Sequence, residues 1–168
     1  MKNFKTLLLI AVFTFGVNTL NAQKSAHIDT EKLIANMPAT KALQVEMDKL
    51  GKTYQDDIEG MAKKLEAKIK KYTAEQATQT QSANEKRAME VQQEKAKIEQ
   101  FRQVAYQEMQ TKQRDKLGPI LEKAQKAIQD VAAAKGIIYV FDAANGKGLI
   151  VYKQGVDLYD AVKAKLGF

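Results

Sequence analysis

Apolar residues between Leu43 and Tyr72 keep a spacing that few structures can use. Leu43, Met47, Leu50, Tyr54, Ile58, Met61, Leu65, Ile69 and Tyr72 follow one another at steps of four or three. From Met47 the steps run three, four, four and repeat, so Met47, Ile58 and Ile69 lie eleven apart, as do Leu50, Met61 and Tyr72. At about 100° per residue all of them fall within roughly 80° of one helical face. A helix resting on a globular core carries a wider stripe, whereas a coiled-coil seam is this narrow. An eleven-residue period of about 3.67 residues per turn implies a straight or slightly right-handed supercoil. The stretch is predicted to be a long arm leaning on a partner helix.

The following segment can supply that partner. Val91, Ile98, Phe101, Ala105 and Met109 also share one face, and neither Gly nor Pro occurs between Met61 and Leu117. The apolar period lapses over Thr73 to Asn84, where Thr, Ser, Asn and Gln take over, so the chain is expected to reverse there. The alternative is one unbroken helix that pairs with another chain.

Met1 to Ala22 reads as a secretory signal peptide, with Lys2 and Lys5 before an apolar run from Leu7 to Val17 and a small residue at Ala22. That run is too short to span a membrane. The expected mature chain begins near Gln23 and is exported and soluble. The whole sequence carries 27 basic and 20 acidic residues and no cysteine, so export brings no disulfide framework. With the middle spent on the arm (residues 41–116), a body must be built from 23–40 and 117–168. That is a marginal size for a core, and one that often requires oligomerisation.

Within the body, Ser25 to Asp29 can form a short strand, and Thr30 is a plausible N-cap for a helical turn or two through Ile34. Pro38 suits the first turn of the long helix. Gly118-Pro119 is expected to kink or break the return helix at the arm's root. Helical spacing resumes from Ile120 to Val131 and should end at Lys135-Gly136. Ile137 to Phe141, unbroken and β-branched or aromatic, reads as a strand buried on both faces. Asn145-Gly146 marks a turn, Leu149 to Tyr152 a second strand, and Val156 to Leu166 a closing helix. Ile138, Val140, Phe141, Leu149 and Val151 are the residues expected to hold copies of the body together.

No catalytic constellation is visible, and the chain is not expected to be an enzyme or to carry a cofactor or metal. His27 is the one histidine and has no cysteine to join it. Asp142 to Gly148 lacks both phosphate-loop spacing and the acidic ligands of a calcium loop, and reads as a turn. Residues 41–116 carry 16 basic and 13 acidic side chains, with Lys63, Lys64, Lys68, Lys70 and Lys71 crowded around one acid, Glu66. These lysines are either a solvated helix face or a patch that attracts acidic partners or anionic lipid head groups. Met89 is expected to face away from the seam, with Tyr106 on its flank. Both are candidates for adaptable apolar binding or ordinary exposed residues. Nucleic acid is a poor partner for an exported chain.

The order of these elements resembles the Skp/OmpH family of periplasmic chaperones. The features are the signal peptide, Ile28-Asp29 leading into Glu31-Lys32-Leu33, the Pro38 helix start, the Lys-rich hairpin, and the tail from Pro119-Ile120 through Ala127-Ile128 and Val131-Ala132 to Ile137–Asp142. The resemblance implies an α+β fold in which a long coiled-coil hairpin projects from a small β body. It also implies a jellyfish-like homotrimer that holds unfolded outer-membrane proteins between its arms without ATP. Contact with anionic lipid or lipopolysaccharide is a further implication, although the family's lipopolysaccharide-binding residues find no matching positions here. A structural adaptor of an envelope secretion or efflux assembly is the rival reading.

Overall fold

The computed structural model describes residues 24–147, 149 and 155–168. The signal-peptide reading of residues 1–22 lies outside them. The elements in order are β1 (Ser25–Ile28), α1 (Thr30–Asn36), α2 (Pro38–Glu75), a 3-10 turn (Gln76–Thr78), α3 (Gln81–Ala134), β2 (Tyr139–Asp142), β3 (Val156–Asp157) and α4 (Tyr159–Leu166). The three strands form a parallel sheet in the order β2-β1-β3. Parallel neighbours cannot be joined by a tight turn and need a crossover. Here the crossover from β1 to β2 contains all of α1, α2 and α3, so the arm is a long excursion inside one connection.

The core lies where that crossover returns to the sheet. Leu33, Leu158 and Val162 have no exposed surface and Ile28 has 1%. Ala124, Ala127, Val131 and Ala132 of α3 pack around them, and their small size lets the helix approach closely. Asp130 accepts from Lys126 at 3.3 Å and meets Lys165 of α4 at 3.6 Å, which ties the closing helix to the return helix. Both lysines hold the Asp130 carboxyl below its ordinary value, the Lys126 hydrogen bond most.

The long helices begin and end where local chemistry says they should. Pro38 opens α2. The Thr80 hydroxyl caps α3 by accepting from the Ala83 amide at 3.2 Å, so the reversal falls inside Thr73 to Asn84 as expected. α3 ends at Ala134, and Gly136 takes the left-handed conformation (φ 63°) that releases the chain toward β2.

Several expectations are corrected. Asp29, not Thr30, is the first N-cap: its carboxylate accepts from the Lys32 amide at 2.8 Å. Thr30 is freed to donate its hydroxyl to Asp142 at 2.7 Å. α3 runs through Gly118-Pro119 without ending. The clash that disfavours helical geometry before a proline involves the preceding residue's N–H and Cβ, and Gly118 escapes the Cβ part of it. The strand expected at Ile137 to Phe141 begins two residues later and is not buried on both faces. It is an edge strand whose Tyr139 and Phe141 are 52% and 50% exposed, while Val140 is half-buried. The strand sealed on both faces is central β1, where Ala26, His27 and Ile28 are all buried. Val156 and Asp157 pair with β1 as a third strand, so the closing helix starts only at Tyr159. Leu149 is half-buried outside any regular element, and the rest of the expected Leu149–Tyr152 strand, including Val151, lies outside the described residues.

Candidate functional site

On the arm, α2 and α3 run side by side in opposite directions, and every seam residue expected from the spacing is buried or half-buried. Tyr54 meets Phe101 edge-on at 6.0 Å between ring centres. A ladder of polar ties flanks this seam. Glu46 bonds Lys112 at 3.0 Å and approaches Lys116 at 3.8 Å near the root. Tyr54 donates to Glu108, Lys68 to Glu94 and Tyr72 to Glu90. Arg87 donates to Glu75 at 2.6 Å and stacks 4.6 Å from the Tyr72 ring near the tip. Moving outward from Tyr54 to Lys68 advances fourteen residues on α2, and Glu108 to Glu94 retreats by the same number on α3. The two helices therefore keep register along the arm, as equal periods on both require.

The ties perturb the groups that make them. The hydrogen bond from Lys112, with the charge of Lys116, holds the Glu46 carboxyl below its ordinary value. The bond to Glu94 raises the Lys68 ammonium. Glu108 and Glu90 push the Tyr54 and Tyr72 phenols up in the same way.

The five lysines of the sequence reading divide in two. Lys68 turns into the ladder, and Lys70 bonds Glu66 at 2.7 Å within α2. Lys63, Lys64 and Lys71 are exposed and form no ion pair among the described residues. Residues 63–97 carry nine basic and five acidic side chains. Three of those acids are taken up by Lys68, Lys70 and Arg87, and a fourth, Glu90, by the Tyr72 hydroxyl. Each ion pair removes one base with one acid, so the outer half keeps the positive excess of its composition and concentrates it on unpaired lysines such as Lys63, Lys64 and Lys71. Sequence reasoning could not say which of the bases stay unpaired, because Lys68 and Arg87 find their acids on the opposite helix. Met89 and Tyr106 are exposed as expected, at 58% and 65%. They lie on α3 seventeen residues apart and do not meet.

The body offers a different surface. An apolar hollow of about 620 Å³ opens between α1, α3 and the start of β2, lined by Leu33, Ile34, Leu121, Ile128, Ile138 and Val140 among others. Ile138 at its rim is 63% exposed. On the other face of β2 stand Tyr139 and Phe141 (residues alternate across a strand). Ile138, Val140 and Phe141 are therefore brought together around one edge strand.

At the far end of β2 the Asp142 carboxylate accepts from the Thr30 hydroxyl at 2.7 Å, the Ala144 amide at 3.1 Å and the Thr30 amide at 3.3 Å. Burial alone would raise this carboxyl, but these bonds outweigh it and hold it below its ordinary value. The clip closes the crossover where it leaves β1.

The family model described as "Outer membrane protein (OmpH-like)" matches residues 24–166. No curated protein matches the chain. Among solved structures, the chain is similar to a candidate outer membrane chaperone (OmpH-like) from Caulobacter crescentus CB15. The TM-score is 0.78 at 18% identity, covering 90% of this chain and 88% of that one. At that identity the likeness establishes a common fold.

Proposed function

The chain belongs to the OmpH-like family of outer membrane proteins, and on that premise we propose that it is an ATP-independent holdase for unfolded outer-membrane β-barrel proteins in the periplasm. The observation that carries the reading is the arm itself. Helices of 38 and 54 residues build it, and outside the root, where Ile120 to Ala132 pack into the body, they bury little beyond their shared seam. A surface of that length, basic at its outer half, suits many weak contacts with a chain that has no fixed shape. Nascent barrels carry open strand edges that aggregate, and a space bounded by several arms would keep copies apart.

The β2 edge supports a homotrimer built through the bodies. Ile138, Tyr139 and Phe141 together expose apolar surface that a small monomer rarely leaves open. Lys63, Lys64 and Lys71 are assigned to steering: exposed charges act over about 8–10 Å at physiological salt, so they would speed encounter without prolonging it. The chemistry of the chain is binding, with no enzymatic step.

Light scattering from a urea-unfolded barrel protein, diluted with and without the mature chain, tests the holdase. Scattering should fall to baseline near one assembly per client, and undiminished aggregation would sink the proposal. Sedimentation tests the assembly: Val140→Asp or Phe141→Asp should yield monomers, and a stable monomer of the unsubstituted chain would refute the trimer. Deleting one matched repeat from each arm helix (residues 62–72 and 90–100) should keep the trimer and impair large clients more than small ones.

A further inference from the structure

The two flanks of the arm differ. Most of the cross-helix ties lie on one side of the seam, where a hollow of about 610 Å³ is lined by α3 alone from Val104 to Lys116. Tyr72 and Arg87 reach both flanks near the tip, and the Asn84 amide donates to the Gln76 carbonyl at 3.0 Å on the other flank. On the other side the helices part into two hollows, of about 540 and 320 Å³, which meet at Ile69 and Lys95. Together they run from Ala62 and Arg102 to Gln76 and Asn84 at the tip. Fourteen residues of α2 at 1.5 Å each give a groove about 21 Å long, the span of about six residues of extended chain.

Resting on the holdase reading, we propose that this open flank is the docking groove for an extended, backbone-exposed segment of the unfolded client. The floor decides against a helical partner. Leu65 and Ile98 are already 7% and 8% exposed, so a helix laid over them would bury little further apolar area. The walls decide for an open backbone. Gln76, Gln92 and Thr73 line the outer hollow with amide and hydroxyl groups, which can pair with peptide N–H and C=O groups that a folded partner has already satisfied. Lys95 stands where the hollows join and forms no ion pair among the described residues. It favours a segment that carries a carboxylate.

Photo-crosslinking locates the segment. p-Benzoyl-phenylalanine is placed on the groove side at Ala62, Ala88 or Gln92. On the tied side it replaces Gln93, next to Glu94, or Gln100, two turns further on, both exposed and neither lining these hollows. Each full-length variant is irradiated with a urea-unfolded barrel protein, and each is checked for helicity and for suppression of aggregation. Groove positions should crosslink roughly tenfold more than tied-side positions, a preference of about 1.4 kcal/mol. Lys95→Glu should lower the groove yield without loss of helicity. Equal yields on both flanks, with aggregation still suppressed, would overturn the groove and leave the holdase standing. Groove yield from a folded helical peptide matching that from the unfolded client would overturn the extended-segment assignment. Failure both to suppress aggregation and to crosslink would remove the holdase and the groove together.

Discussion

In the body, Leu33, Leu158 and Val162 are completely sealed from solvent. Along the arm beyond its root, the best-covered large side chains, Leu65 and Ile98, keep 7% and 8% of their surface and most seam residues keep more. The body has three layers of contact around one point, from sheet, crossover and closing helix. The arm has one line of contact between two helices and must supplement it with polar ties at the rim. The difference implies two kinds of stability: a body that is lost all at once, and an arm that can open locally at modest cost.

The largest test of that contrast is truncation of matched leucines. Leu33→Ala should destabilise by about 3 kcal/mol or more, because a sealed site collapses poorly around the void. Leu65→Ala should lose about 2 kcal/mol, at the lower end of such changes, because two helices can close on a seam that is open at both rims. Urea unfolding followed by circular dichroism measures both. Equal losses would mean the arm is packed like a core.

The Asp142 clip comes next. Asp142→Ala removes the acceptor for three donors and should cost about 1 kcal/mol. The loss should fall on the body transition alone. The carboxyl's value is depressed in the folded state, so its contribution is fully present above its unfolded value and disappears as pH falls through the folded one. The difference in stability between Asp142→Ala and the unsubstituted chain should therefore shrink in strong acid toward what the neutral carboxyl's hydrogen bonds supply. A difference undiminished there would mean that the charge of Asp142 contributes nothing.

A smaller effect of opposite sign is expected in the arm. Gly60 lies inside α2 with ordinary helical geometry, and a Cβ added there meets nothing within 4 Å. Gly60→Ala should stabilise the arm by about 0.5–1 kcal/mol, seen as slower amide exchange around residue 60 with exchange in β1 unchanged. Equal slowing in β1 would show that arm and body open as one unit.

The same contrast explains what could be read from the sequence. The arm was legible because its seam is a local periodic signal: the spacing of Met47, Leu50 and Tyr54 identifies a face without reference to anything else in the chain. The body was less legible because its elements are defined by distant partners. Ile137 to Phe141 looks like a central strand, and only its pairing with Ser25–Ile28 reveals that it is the edge. Thr30 looks like a cap until Asp142, more than a hundred residues later, takes its hydroxyl. Pro119 reads as a kink or a break; the break does not occur, and Gly118 eases the proline's clash by lacking a Cβ. For the candidate site, the exposure of Met89 and Tyr106 followed from helical phase. The fate of Lys68 did not, since Glu94 lies on the other helix.

The smallest expected effect concerns the ties along the arm, whose members are exposed and screened by salt. Glu46 has a depressed folded value, so its contribution is present above the unfolded carboxylate range and lost as pH falls through the folded value. Lys68, Tyr54 and Tyr72 have raised folded values, so theirs are present below the unfolded values, near pH 10, and lost as pH rises through the folded ones. The arm should consequently be indifferent to pH from about 6 to 9 and loosen toward both extremes, at the root in acid and from Tyr54 outward in alkali. Double electron–electron resonance between spin labels on Gln55 and Gln107 would read this as a broadened distance distribution above pH 10. Tyr54→Phe, which keeps the ring against Phe101 and removes the donor to Glu108, should already be broadened at neutral pH and change less in alkali. Identical pH profiles for Tyr54→Phe and the unsubstituted chain would show that the apolar seam alone holds the arm closed.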